Sequence, residues 1–179
     1  DGKWCFINGN NTPRIALVDL GTFRTKSIVE IPNCAGNHSS PFTTPNSEYV
    51  ISGTRFSVPM GDDAARDVPI ESYRENFKGT VSFIHPDTVG KMSIAFQIIT
   101  PGVNFDLSHT GKGPSDGWFF FSCYNSEQAY SLLEVNASQR DKDFIMAVNW
   151  KKAEQYAKEG KGRKVPGKYY SNWYNDETH

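Results

Sequence analysis

R-I-A-L-V-D-L-G-T-F-R-T-K-S-I-V-E-I, from Arg14 to Ile31, holds two strand-length apolar runs on either side of one polar turn. Arg14–Asp19 and Thr25–Ile31 are rich in branched aliphatic side chains, which suit a pleated surface. Between them, Asp19-Leu20-Gly21-Thr22-Phe23 supplies a capping carboxylate and a turn glycine, so the connection is tight. Just upstream, Trp4–Asn8 (W-C-F-I-N) is another short apolar run, and Asn8-Gly9-Asn10-Asn11 is a strong hairpin signal. Three consecutive strands on short turns predict an antiparallel meander. A meander of this size is most of one blade of a β-propeller.

Working outward, the next stretch breaks the pattern. Ile31–Phe42 (I-P-N-C-A-G-N-H-S-S-P-F) has no apolar alternation and bends at Pro32, Gly36 and Pro41, so it predicts a loop carrying one histidine, His38. By residue type alone, His38 is either an ordinary loop histidine or a side chain aimed at a metal, and a lone histidine favours the former. Strand signals resume at Ser47–Ser52, Gly79–Ile84 and Lys91–Ile99, the last two joined by the turn His85-Pro86-Asp87-Thr88. Val18–Thr22 corresponds to Ile84–Thr88, and the strands that follow close on Pro32 and Pro101. Between Ser57 and Asn76 the chain is irregular and predicts an exposed insertion; its Asp62, Asp63 and Asp67 lack the spacing of an EF-hand loop.

A third unit opens with a polar loop over Val103–Gly117. Trp118–Tyr124 (W-F-F-F-S-C-Y) then predicts a central strand buried on both faces. Ser126–Val135 has helical character, Asp143–Trp150 predicts a strand, and Lys151–Glu159 a short helix. In that helix Ala153, Tyr156 and Ala157 share a face, Glu154 and Lys158 form an i,i+4 pair, and Gly160 supplies the stop. Gly160–Lys168 is a basic connection of the solvated kind. The expected fold is all-β: a partial β-propeller of about two and a half to three blades, with short helical insertions and blade-like units over 1–33, 34–102 and 103–179. A propeller closes only with four or more blades, so a fragment of a larger propeller, with open edges, is expected.

Composition bounds what such a fragment could do. The 12 Phe, 8 Tyr and 4 Trp among 179 residues suit a sheet protein. A net charge of −1 gives no electrostatic ground for nucleic acid or an anionic membrane surface as partner. No apolar run approaches a membrane span. The chain begins at Asp1 without an initiator Met, so the lack of a leader says nothing about compartment. Cys5, Cys34 and Cys123 form no C-x-x-C pair, which argues against a zinc site or disulfide framework; Cys5 and Cys123 are expected to be small buried hydrophobes. Lys112-Gly113-Pro114-Ser115 does not match a phosphate-binding loop.

Several stretches together resemble the N-terminal propeller of the nitrous-oxide reductase family. They are Asp1–Asn8, Arg14-Ile15-Ala16, Ile28–Asn33 with His38 after it, Ser122–Glu127, and Asp141–Phe144, in the family's order and spacing. The G-N-H-S-S-P-F and L-E-V-N-A-S wording resembles the branch exported by the general secretory route. The resemblance implies a periplasmic homodimer with a seven-bladed propeller and a C-terminal cupredoxin domain, the latter absent from this chain. It implies a copper-sulfide cluster (CuZ) on the propeller axis, a dinuclear copper centre (CuA) in the partner's cupredoxin domain, bound calcium, and a c-type cytochrome or cupredoxin as electron donor. The implied reaction reduces N2O to N2 and water with two electrons and two protons.

Carried across position by position, the resemblance implies that His38 is one cluster ligand, a role that suits imidazole. It implies a calcium site from the backbone carbonyl of Tyr124 and the carboxylates of Glu127 and Asp143, hard oxygen donors of the type calcium prefers. Asp106 matches an acidic residue near the cluster, outside the ligand shell. The insertion at Asn136–Arg140 lengthens the family's bridge between Glu127 and Asp143. His85, His109 and His179 match no ligand. The remaining cluster histidines fall outside this sequence, so the chain alone is expected to be inactive. The alternative is a non-catalytic propeller presenting Ser57–Asn76 and Gly160–Lys168 to a protein partner, because fold does not fix function. A lyase or hydrolase using axial carboxylates such as Asp106 has no paired-carboxylate spacing behind it.

Overall fold

The computed structural model describes residues 2–9, 12–31, 34, 37–54, 58–59, 77–100, 103–105, 113–124 and 144–160. At 38–42, 58–59, 77–79, 99–100, 103–105, 122–124, 144 and 146 the description is of the backbone. These residues are mostly β, in three antiparallel sheets.

The first sheet is the meander β1 (Trp4–Asn8), β2 (Arg14–Asp19) and β3 (Arg24–Glu30), in that order. β1 and β2 have the boundaries their apolar runs predict, and β3 begins one residue early. Alternation divides the sheet cleanly: Ile15 and Leu17 are fully buried, whereas Ile7 and Ile28 face out at 53% and 61% exposure. In the β2–β3 turn, Thr22 donates to Asp19 Oδ1 from its backbone N at 2.9 Å and from its hydroxyl at 3.1 Å, so the carboxylate caps the turn as its position suggests. Phe23, at the tip, holds φ +54° and is 81% exposed.

The second sheet contains β4 (Asn37–Thr43), β5 (Val50–Thr54), β6 (Val58–Pro59), β7 (Phe77–Pro86) and β8 (Met92–Thr100). Pairing runs β4 to β5, β5 to β7 and β7 to β8, a four-strand antiparallel path of the kind that forms a propeller blade. Two-residue β6 pairs with β7 at Lys78 and Phe77. The loop expected over Ile31–Phe42 is corrected here, since its second half is strand β4. That strand forms against the backbone of β5 and not through apolar alternation of its own, so the sequence pattern does not announce it. As an edge strand it tolerates Pro41, which has no N–H for a ladder. The turn expected at His85–Thr88 moves along the chain: His85 and Pro86 end β7, and Asp87 Oδ1 accepts from the backbone N of Val89 and Lys91 at 3.0 and 2.8 Å. Asp87 thus does for this hairpin what Asp19 does for the first.

The third sheet places β10 (Trp118–Tyr124) between β9 (Val103–Phe105) and β11 (Phe144–Asn149). β10 is central, as its aromatic run predicts, but it is not buried on both faces. Phe119 and Phe121 are buried, while Phe120, opposite in the pleat, is 39% exposed. Helix α1 (Trp150–Lys158) takes Trp150 from the expected strand because the side chain of Asn149 accepts from Lys152 N and caps the helix there. Gly160, at φ +66°, follows its end. Lys158 pairs with Glu154 at 2.7 Å, as the i,i+4 spacing predicts.

Two apolar clusters join these sheets. Val50, Ile84 and Met92 of the second sheet pack with Ile15, Leu17 and Ile31, and with partly buried Trp4, Phe6 and Cys34. On the other side, Ile51, Val81, Phe83, Phe96 and Ile98 pack with Phe119, Phe121, Val148 and α1 through Trp150 and Ala153. The second sheet is therefore covered on both faces. Cys5, expected inside, is exposed, because its position in β1 falls on the outward side of the pleat.

Candidate functional site

His38 is the second residue of β4 and lies opposite Gly53 of β5. The residue before it fixes the strand. Asn37 is fully buried and uses every polar group it has. Its backbone N donates to Gly9 O at 3.0 Å, and its carbonyl accepts from Asn8 Nδ2 at 3.2 Å. Its side-chain Nδ2 donates to Arg14 O at 3.0 Å, and its Oδ1 accepts from Cys34 Sγ at 3.1 Å. The start of β4 is thereby tied to the β1–β2 turn, more than twenty residues earlier in the chain. Sequence reasoning noted Asn37 only as the head of an N-x-S sequon and gave it no structural role, because most of its partners are distant atoms that no local pattern shows.

Beyond His38 the β4–β5 register breaks. His38 pairs with Gly53 but Phe42 pairs with Ile51, so Ser39, Ser40 and Pro41 stand against Ser52 alone. A widening of this kind bends an edge strand and re-aims what it carries, a common device beside functional sites. The residue facing position 38 has no side chain, and an imidazole is a suitable copper donor. By residue type, position 38 offers one nitrogen donor. Among the described residues no three His, Cys, Asp or Glu gather as a metal site.

The other expected site residues belong to the third sheet. Tyr124 ends β10, with its backbone paired to Val103 of β9. Glu127, Asp143 and Asp106 lie outside the described residues. Chain neighbours of Asp143 and Asp106 are described: Phe144, next to Asp143, pairs with Cys123, next to Tyr124, and Phe105, next to Asp106, pairs with Ser122. His85 is exposed, as its sequence position suggests, with Nδ1 2.9 Å from Glu48 O.

A second polar group lies where the second sheet meets α1. Tyr49 OH donates to Glu154 Oε1 at 2.5 Å, and Lys158 Nζ donates to the same oxygen at 2.7 Å. Burial, reinforced by the neighbouring Glu154 carboxylate, pushes the Tyr49 phenol well above its usual range. At Glu48, burial works upward but is outweighed by hydrogen bonds, first from the Thr44 hydroxyl at 2.6 Å and then from Asn46, which hold the carboxyl below its usual value. The bonds from Thr22, its backbone N first, hold Asp19 low. These groups organise turns and the helix contact; none faces position 38 across the β4–β5 pairing.

No family model matches the chain. The chain is similar to the nitrous-oxide reductase of Pseudomonas fluorescens, 29% identical over 174 residues that cover 93% of this chain and 25% of that protein. It is also similar to the nitrous-oxide reductase of Stutzerimonas stutzeri, 28% identical over 144 residues that cover 79% of this chain and 21% of that protein. The chain therefore spans about a quarter of the length of the curated relatives it matches.

Proposed function

We propose that this chain is part of the propeller of a copper-dependent nitrous-oxide reductase and that His38 gives one imidazole to its catalytic cluster. The observation that carries this reading is the likeness to two nitrous-oxide reductases, which in one case extends over 93% of the chain. The all-β architecture is in keeping with it, since three antiparallel sheets stacked face to face are what consecutive blades look like. The blade-like units are 1–33, 34–102 and 103–179, and the parent propeller has seven.

The cluster, when bound, supplies the electrons and the metal surface for reducing N2O to N2 and water. The chain's own contribution is positional. Asn37 fixes the start of β4, Gly53 stands opposite position 38 without a side chain, and His38 would give one neutral imidazole nitrogen. Ligation requires the deprotonated ring nitrogen, so copper binding weakens as imidazole protonates. Calcium is held by the Tyr124 carbonyl with Glu127 and Asp143; the Cys123–Phe144 pairing supports this by bringing their stretches of chain side by side. Asp106 lies near the cluster without binding it. The parent enzyme is a periplasmic homodimer that receives electrons from a c-type cytochrome or cupredoxin through a second copper centre in a cupredoxin domain.

The test is His38→Ala in the full-length protein. The expected result is loss of cluster copper and of N2O reduction, with the copper signal of the cupredoxin domain retained. Unchanged copper content and normal turnover would sink the assignment and favour a scaffold.

A further inference from the structure

The face of the second sheet turned toward β1–β3 changes character along its strands. At one end Val50, Ile84, Met92 and Ile94 meet the first sheet through apolar contact. By strand alternation the same face continues through Ser52 and Thr54 of β5, Thr80 and Ser82 of β7, and Gln97 of β8. Each of these is at most 3% exposed. Three of them form a row across three strands: Ser52 pairs with Ser82, and Ser82 with Gln97. Gln97 Nε2 donates to Ser82 Oγ at 2.9 Å, but Ser52 Oγ, buried at the end of the row, has no hydrogen-bond partner among the described residues.

Leaving a buried hydroxyl without a partner costs about 1–3 kcal/mol. Native proteins meet such groups with an ordered water, which typically makes about three hydrogen bonds. Directly paired residues on neighbouring strands have Cβ atoms about 5 Å apart, so one water reaches both hydroxyls. The row is uncharged throughout, which suits water and offers nothing to neutralise an ion. On its other side, Ser52 faces the widened part of β4, where three residues stand against one and the ladder is interrupted. We propose that Ser52 and Ser82 bind a buried structural water that also hydrogen-bonds the widened β4 backbone, and that this water holds the strand segment following His38. Ser52 is then a positioning residue. The water site stands on these contacts alone, and only its bearing on copper rests on the function proposed above.

The experiment uses the full-length protein. A high-resolution crystal structure is expected to show an ordered water within hydrogen-bonding distance of Ser52 Oγ and of a second protein polar atom. A Ser52 hydroxyl bonded directly to protein, or a dry one, overturns the proposal. Amide hydrogen exchange over residues 37–43 gives the second readout. Ser52→Ala is expected to speed exchange there by about five- to tenfold, the equivalent of one lost hydrogen bond. Ile98→Val, which thins the other apolar cluster, is the control and should leave β4 alone. If the two variants change β4 alike, Ser52 has no positioning role. Neither readout involves copper, so this outcome is separate from that of His38→Ala.

Discussion

Asn37 and Tyr49 are each held by side-chain contacts with residues far away in the chain. Replacing Asn37 by Ala removes two side-chain hydrogen bonds, to Arg14 O and from Cys34 Sγ, and leaves Gly9 N as the donor to Arg14 O. A loss of about 1–3 kcal/mol is expected, read as a lower urea midpoint at unchanged slope. Asn37→Asp should be no milder at neutral pH, because it sets a carboxylate against the Arg14 carbonyl. For Tyr49 the sign follows from its raised pKa. The folded state holds the phenol proton more tightly than the unfolded state does, so the stabilisation is complete below the usual value of 10.0 and fades as pH rises above it. Urea melts between neutral pH and pH ~11 should show stability falling at the alkaline end. Tyr49→Phe should start lower by about 1–2 kcal/mol and lose that part of the slope. The sequence singled out His38 by residue type but set it in a loop where strand β4 lies, and it showed no structural role for Asn37, because an asparagine's partners are invisible when they are backbone atoms of another strand.

Strands with a strong apolar run of their own were legible: β1, β2 and β10 lie where the runs of Trp4–Asn8, Arg14–Asp19 and Trp118–Tyr124 put them. β4 was not, since N-H-S-S-P-F-T has no apolar period and becomes a strand only when β5 offers its edge. The aromatic run of β10 misled in the opposite sense, because four apolar residues in a row look the same whether one face or two are covered. Mutation separates those cases. Phe83 of β7 stacks on Phe96 with centroids 4.3 Å apart and meets Phe119 edge-on at 5.7 Å. Phe83→Ala should cost about 3–5 kcal/mol. Phe120→Ala, on the partly exposed side of β10, should cost about 1 kcal/mol or less. Equal losses in urea melts would mean that both faces of β10 are packed. At the helix, Asn149→Ala should cost about 1 kcal/mol through the lost cap, with the loss visible in the circular dichroism of α1.

The three sheets differ in how much of each is covered. The second is packed on both sides, while the first shows Ile7 and Ile28 to solvent, and Ile145 of β11 is 78% exposed. Apolar faces of this kind drive association. Residues 1–179 made alone are expected to self-associate with rising concentration, and Ile7→Glu with Ile28→Lys should reduce this in light scattering; an unaffected, monodisperse monomer would contradict it. Which sheets neighbour one another was only partly legible, because face-to-face packing is a long-range matter that a strand's own residues do not encode. The packing also bears on how the chain is made. One apolar cluster joins the first sheet to the second and the other joins the second to the third, and neither draws on the first and third together. Each new sheet therefore finds its partner already synthesised. As the chain leaves the ribosome, the first sheet and then the second can consolidate without waiting for the C-terminal strands, an order of assembly that spares the central sheet from long exposure.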